Sequence, residues 1–228
     1  MAARHGGEGR LAALALGLAL LLASDVMSPA SANGEALREA AARGDAAAVA
    51  RFIAGRTPLN DKDRLGQTAL LLAVAGNHVE VARLLMEAGA DINAQAANRD
   101  TPWLLAGALG RAEIIALMLP RKPDLSIRNR FGGTALIPAC ERAHVEAVKL
   151  LLTSGIDVNH VNDLGWTCLL EIVILGSGGP RHQEVARLVL AAAANPNITD
   201  RDGVSPLDHA RQKGQAEIAR LIEAAGGR

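Results

Sequence analysis

TALLLAVAGNHVEVARLLMEAGADINAQAANRDTPW, residues 68–103, holds one full period of a repeating unit and the start of the next. Thr68 opens an apolar segment, and Thr101 opens another 33 residues later; the step recurs at Thr134 and Thr167. A fifth copy begins at Ser205, 38 residues after Thr167. Each element has a physical role. The Thr or Ser hydroxyl accepts from an unpaired amide in the first helical turn, a cap worth about 1 kcal/mol. Five residues on stands a small side chain, Ala73, Ala106, Ala139 or Ala210, which lets neighbouring helices approach closely; the fourth copy has Ile172 there and must adjust. Asn77, Gly110 and Gly214 mark a tight turn in the left-handed region. A second helix begins near Glu80, Glu113, Glu146, Glu184 or Glu217, each suited to a helix N-terminus. Its apolar face, as in Val81-Leu84-Leu85 and Val148-Leu151-Leu152, covers the back of the stack. Gly89, Gly155 and Gly226 end it, and Asp91-Ile92-Asn93 and Asp157-Val158-Asn159 lead into the next copy.

The opening triplets read Thr68-Ala69-Leu70, Thr101-Pro102-Trp103, Thr134-Ala135-Leu136, Thr167-Cys168-Leu169 and Ser205-Pro206-Leu207. They resemble the Thr-Pro-Leu-His motif of ankyrin repeats, with the His absent from every copy, and the 33-residue period is that family's. The resemblance implies an all-α solenoid of helix-turn-helix units joined by short β-hairpin loops. About six units are expected, at 33–64, 65–97, 98–130, 131–163, 164–201 and 202–228. The first is degenerate, keeping Leu37, Ala40, Ala41, Gly44, Val49, Phe52 and Ile53 in phase. Arg38, Glu39, Arg43 and Arg51 at one end, and Arg211, Gln212, Lys213 and Arg220 at the other, supply the polar faces that terminal repeats need.

Residues 1–32 read as a signal peptide. Arg4, His5 and Arg10 precede the apolar run Leu11–Ala23, whose 13 residues make a helix of roughly 20 Å, short of the about 30 Å of a bilayer core. Ala30-Ser31-Ala32 then offers small residues for signal peptidase, so the mature chain is expected to begin at Asn33 in the periplasm, with secretion as the alternative. An uncleaved membrane anchor is the competing reading. The 24 basic and 24 acidic residues balance and interleave, which argues against nucleic acid and anionic membrane as partners. Half of the chain is hydrophobic, yet it holds two Trp, two Phe and no Tyr.

In a solenoid the shared residues build the scaffold and the variable ones recognise the partner. On ankyrin stacks the recognising face is concave, formed by hairpin tips and the open side of the first helices. The third and fourth copies depart furthest from a bland surface there. Phe131, Leu164, Trp166, Ile174 and Leu175 make an apolar patch, rimmed by Arg130, Glu141 and Arg142, as at protein interfaces. Packing of Phe131 and Trp166 between hairpins is the alternative. The five extra residues of the fourth copy lie within Gly176-Ser177-Gly178-Gly179-Pro180-Arg181-His182. They lack the Lys-Ser/Thr ending and leading strand of a P-loop, and read as a surface insertion or as a loop bringing Arg181 and His182 to the partner.

Several departures need physical accounts. Glu171 interrupts an apolar run and, with His209 at the equivalent place one copy on, is expected to form a Glu171–His209 contact. Pro138 falls in a first helical turn and should forfeit only the earliest bond. Pro120 and Pro123 should shorten the second copy's second helix. Cys140 sits mid-helix and Cys168 near a helix start; ankyrin geometry implies they are too far apart to bond, leaving buried free thiols. His78 and His144 occupy the framework turn, and no His spacing suits a metal.

The stretches Arg130 to Arg142, Leu164 to Thr167 and Gly179 to His182 look like those of bacterial exported ankyrin proteins. That resemblance implies a monomeric, non-catalytic scaffold for a protein partner, with neither cofactor nor metal and no membrane contact after cleavage. Some such proteins are linked to oxidant-defence enzymes such as catalase, which makes a stress-defence enzyme the first partner to consider. The alternatives are a small-ligand sensor in the same groove, or a small hydrolase using Glu171, His209 and the Gly-rich loop. The hydrolase lacks a nucleophile with a base at recognisable spacing.

Overall fold

The computed structural model describes residues 29–228, with side chains from residue 32 onward. The basic leader and apolar run proposed for export lie outside the described residues. Six helix pairs follow one another: α1 (Pro29–Arg43) and α2 (Ala46–Ala54), α3 (Ala69–Ala75) and α4 (Val79–Glu87), α5 (Pro102–Ala108) and α6 (Ala112–Met118). They continue with α7 (Leu136–Glu141) and α8 (Val145–Leu152), α9 (Cys168–Ile174) and α10 (Pro180–Ala191), and α11 (Pro206–Gln212) and α12 (Ala216–Ala224). Odd-numbered helices pack in one row and even-numbered helices in a second row behind it. There is no β-strand among the described residues. Each connecting hairpin is a turn closed by bonds such as Asn129 N to Gly133 O at 3.0 Å and Asn162 N to Trp166 O at 3.0 Å.

The stack holds because its first helices almost touch. Ala73, Ala106, Ala139, Ile172 and Ala210 are all fully buried between neighbours. Four of the five caps form as the sequence requires: Thr68, Thr101, Thr167 and Ser205 accept from the amide three residues on. The third copy differs. In the others, the amide four residues past the Thr or Ser bonds back to its carbonyl, and Pro138 removes that donor. Helix α7 therefore starts one residue late, at Leu136, and the buried Thr134 hydroxyl finds no partner. Pro138 thus costs this helix its cap as well as its earliest bond, more than the sequence led us to expect. Pro120 acts as expected: α6 ends at Met118 and passes into a single 3₁₀ turn over Leu119–Arg121.

Successive copies are latched from the start of the second helix. His78 Nε2 bonds the Ala42 carbonyl (2.9 Å), Arg111 the Ala75 carbonyl (3.0 Å) and His182 the Glu141 carbonyl (2.9 Å). Gln215 reaches the Val173 and Gly176 carbonyls at 3.2 and 3.1 Å. His144 takes this place beside Ala108, where burial and the nearby Arg142, Arg181 and Arg111 lower its pKa. The five-residue insertion leaves the ladder unbroken. Its last residues extend α10, with Pro180 as the first helical residue, and His182 still lands on the preceding copy.

The cysteines overturn the expectation of free thiols. Cys140 and Cys168 form a disulfide with Cα atoms 5.6 Å apart, inside the roughly 4.4–6.8 Å that such a bridge spans. Adjacent first helices meet so that the sixth residue after one Thr lies against the first residue after the next. Gly107 and Ala135 are the same pair one interface earlier, and a Cβ on Gly107 would collide with the Ala135 backbone. The two thiols face each other across adjacent first helices, which their unequal offsets conceal.

Two outcomes are expected. Closing a loop of 28 residues should stabilise the domain by about 3 kcal/mol, so urea titration with dithiothreitol should show a loss of that order, absent from a Cys140→Ala/Cys168→Ala double variant. Leu151 is fully buried, whereas Leu152 is only half-buried. Leu151→Ala should therefore cost about 2–5 kcal/mol and Leu152→Ala clearly less; equal losses would mean that the even-numbered helices are rotated from the orientation described.

Candidate functional site

On the face formed by hairpins and first helices, the second to fourth copies enclose a pocket of about 320 Å³. Its walls include Leu105, Leu109, Ile137, Pro138, Leu164, Leu175 and Phe131, with Asp100, Arg130, Glu141, Arg142 and Glu171 as its charged lining. Helix α7 is short because of Pro138, and α9 is tied to it by the disulfide, so two linked helices both contribute to the pocket lining.

The hairpin tips are held by a repeated side-chain bond. Asn129 Oδ1 accepts from the Phe131 and Gly133 amides, both at 2.9 Å. Asn162 Oδ1 accepts from the Leu164 and Trp166 amides at 2.9 and 3.0 Å. Asp63 and Asp200 do the same in their own copies. The Asp163 amide also donates to the Phe131 carbonyl at 2.9 Å, joining adjacent tips. These bonds present apolar side chains to solvent, Phe131 being 47% exposed and Leu164 46%; Leu175, just past the end of α9, is 50% exposed. The Arg130 guanidinium lies over the Phe131 ring, 4.6 Å from its centre. Arg142 donates to the Ala108 carbonyl at 2.7 Å.

Of the residues proposed from sequence, Phe131, Glu141, Arg142, Leu164 and Leu175 line this pocket together. Trp166 is half-buried at the base of its hairpin, and Ile174 packs against the core; neither belongs to the pocket lining. Arg181 is exposed on α10, away from the lining, and the His182 ring is engaged with the Glu141 carbonyl and Ser177. Sequence reasoning passed over Asn129 and Asn162, which support the tips. The signal was available: both stand five residues before a Thr, where Asp63 and Asp200 stand in other copies.

The expected Glu171–His209 contact does not form. Each residue instead finds a partner nine positions back, in the hairpin that precedes its own helix. Asn162 Nδ2 donates to Glu171 Oε1 at 3.0 Å, and His209 Nε2 meets Asp200 Oδ2 at 2.7 Å. The hairpin folds back on the first helix that follows it and so occupies the position that a contact across the stack would need. Burial, reinforced by the nearby Glu141 charge and opposed by the Asn162 bond, pushes the Glu171 carboxyl up to about 7. Burial also raises Asp100, against the pull of Arg130 and the Asn98 bond. No cluster of three or more metal-ligating side chains occurs among the described residues. Nor is any helix there long and apolar enough to cross a membrane.

A family model described as ankyrin repeats in three copies matches residues 2–96 and 103–200. The chain is 41% identical over 188 residues to the ankyrin repeat protein YahD of Escherichia coli strain K12, covering 82% of this chain and 94% of that one. The crystal structure of an ankyrin repeat domain from Acinetobacter baumannii AYE is similar with TM-score 0.81 and 46% identity, covering 84% of this chain and 98% of that one. The ankyrin repeat domain of Bcl-3, a member of the IkappaB protein family, is similar with TM-score 0.75 and 30% identity, covering 85% and 86%.

Glu171 sets a pH dependence. An ordinary Glu carboxyl titrates at 4.5, and this one at about 7 in the fold. Between those values the native chain binds more protons than the unfolded one, so this group's contribution to stability falls as pH rises across that window. Glu171→Gln keeps an oxygen for Asn162 but cannot ionise. At pH 8 it should be more stable than the parent by roughly 2–3 kcal/mol, and at pH 4 nearly equal to it. Urea titrations of both proteins at the two pH values measure the difference; a constant offset would refute the assignment.

Proposed function

The chain belongs to the ankyrin repeat family, and we propose that it is a protein-binding scaffold working outside the cytoplasm, with its partner held on the concave face of the second to fourth copies. Repeats of this family act as protein–protein interaction scaffolds, and the unit structure leaves one face free for that work. The observation that carries the reading is local. In a chain with only two Phe, Phe131 stands nearly half exposed beside exposed Leu164 and Leu175, around a pocket rimmed by Arg130 and Arg142. Aromatic and arginine side chains around a pocket are the usual anchors of interfaces.

Export is supported by the leader pattern in residues 1–32 and by the disulfide. Disulfides persist in oxidising compartments such as the periplasm and are rare in the cytosol. Cleavage after Ala32 would remove the first residues of α1 and keep Leu37, Ala40 and Ala41, which are buried against the next copy. Resemblance to exported ankyrin proteins makes a periplasmic oxidant-defence enzyme, such as catalase, the first partner to test.

Two measurements check this. Intact mass of the protein from its native host should show a chain beginning at Asn33, with two hydrogens fewer than the dithiol; a full-length chain retained in the membrane would refute export. Crosslinking and capture from a periplasmic extract should retain a partner whose affinity falls about thirtyfold in Phe131→Ala, corresponding to the roughly 2 kcal/mol of an aromatic anchor. Lys149→Ala, on the opposite row of helices, should leave both affinity and fold unchanged.

A further inference from the structure

Glu141 and Glu171 face one pocket without a cation of their own. Neither enters a salt bridge among the described residues. Glu171 is only 5% exposed, and what it exposes lines the pocket. Asn162 satisfies its Oε1 at 3.0 Å, while its Oε2 takes no hydrogen bond among the described residues. Of this carboxyl group, Oε2 is the oxygen left to meet a ligand, and the residue lines the pocket.

The nearby basic groups are already engaged. Arg142 is bonded to the Ala108 carbonyl and Arg130 lies on Phe131. On the other side of α9, from α11, His209 is bonded to Asp200 and Lys213 to the Ile174 carbonyl. From α10, His182 bonds the Glu141 carbonyl rather than its carboxylate. Asp100, Glu141 and Glu171 outnumber Arg130 and Arg142 around the cavity by one formal charge. An anion entering it would meet three carboxyl groups, and an apolar group would leave Glu171 Oε2 unmet at a desolvation cost. A cation meets the deficit.

Resting on the concave-face reading, we propose that this pocket receives one basic side chain, Arg or Lys, presented by the partner protein. Its charged head meets Glu171 and Glu141, and its methylene stem lies against Leu164, Leu175 and Phe131. Long basic side chains bury an aliphatic stem in this manner while their heads find polar partners. The volume agrees: 320 Å³ stands at the small end of the about 300–1,000 Å³ that pockets for whole small molecules occupy, and suits a single long side chain.

Binding of the cation requires Glu171 to give up its proton, so recognition is linked to pH. With that carboxyl titrating at about 7, the ionised fraction, and with it the apparent affinity, rises about tenfold from pH 6 to pH 8.

The test is an NMR titration of the ¹⁵N-labelled chain with N-acetyl-arginine amide, alongside N-acetyl-glutamate amide and N-acetyl-leucine amide. The arginine probe should give saturable shifts at the Glu141, Glu171 and Leu175 amides, about tenfold tighter at pH 8 than at pH 6. Glu171→Gln should abolish the pH dependence and weaken binding at pH 8 at least tenfold, its spectrum confirming the fold. Glu141→Gln, at a half-buried site, should weaken binding without removing the pH dependence. Equal or stronger binding of the glutamate or leucine probe, or no shift with the arginine probe at millimolar concentration, would overturn the proposal. Such a failure would leave the concave-face reading standing wherever Phe131→Ala still weakens capture of the partner, because that substitution touches neither carboxyl.

Discussion

Successive first helices pack closely, mostly across alanine, and the rest of the molecule is arranged around that closeness. Ala73, Ala106, Ala139 and Ala210 meet it with the smallest chiral side chain, and Gly107 with none at all. No helix of six to nine residues is stable alone in water. Each is held because its apolar stripe is covered by the next copy, so order in one unit depends on its neighbours. At the contact that Gly107 and Ala135 make one interface earlier, two thiols form a covalent bond.

That bond stands at the shortest α-helix among the described residues. Pro138 deprives α7 of the bond that closes its first turn and leaves the buried Thr134 hydroxyl without a partner. The same helix contributes Ile137, Pro138 and Glu141 to the pocket, and its disulfide partner α9 contributes Glu171, with Leu175 just past its end. Local stability has thus been given up where the surface is most distinctive, and a cross-link spans the same place. Departures from local rules tend to gather at functional sites, where the surrounding fold compensates.

The latch ladder explains how an insertion can be carried without disturbing the groove. His78, Arg111, His182 and Gln215 differ in chemistry, yet each reaches a carbonyl at the end of the preceding first helix. What the position requires is a donor long enough to reach back. The extra residues before His182 are absorbed in the loop and in the added first turn of α10. Contact with the preceding copy is then made at the usual place.

Much of this protein is legible along the chain. The 33-residue step, the Thr caps, the small residues at the close approach and the left-handed turns at Asn77, Gly110 and Gly214 are local signals, each forced by the backbone geometry of one unit. So is the shared face of Phe131, Leu164, Glu141, Arg142 and Leu175, because a fixed unit sends fixed offsets to one face. Pairings between and within units were not legible. The Cys140–Cys168 bond, the latch that holds His182, the withdrawal of Trp166 from the pocket and the separation of Glu171 from His209 depend on the offset and fold-back of packed elements. Period and pattern say which residues share a face; which atoms come within bonding distance is set by how the units cross, and that angle is a property of their packing.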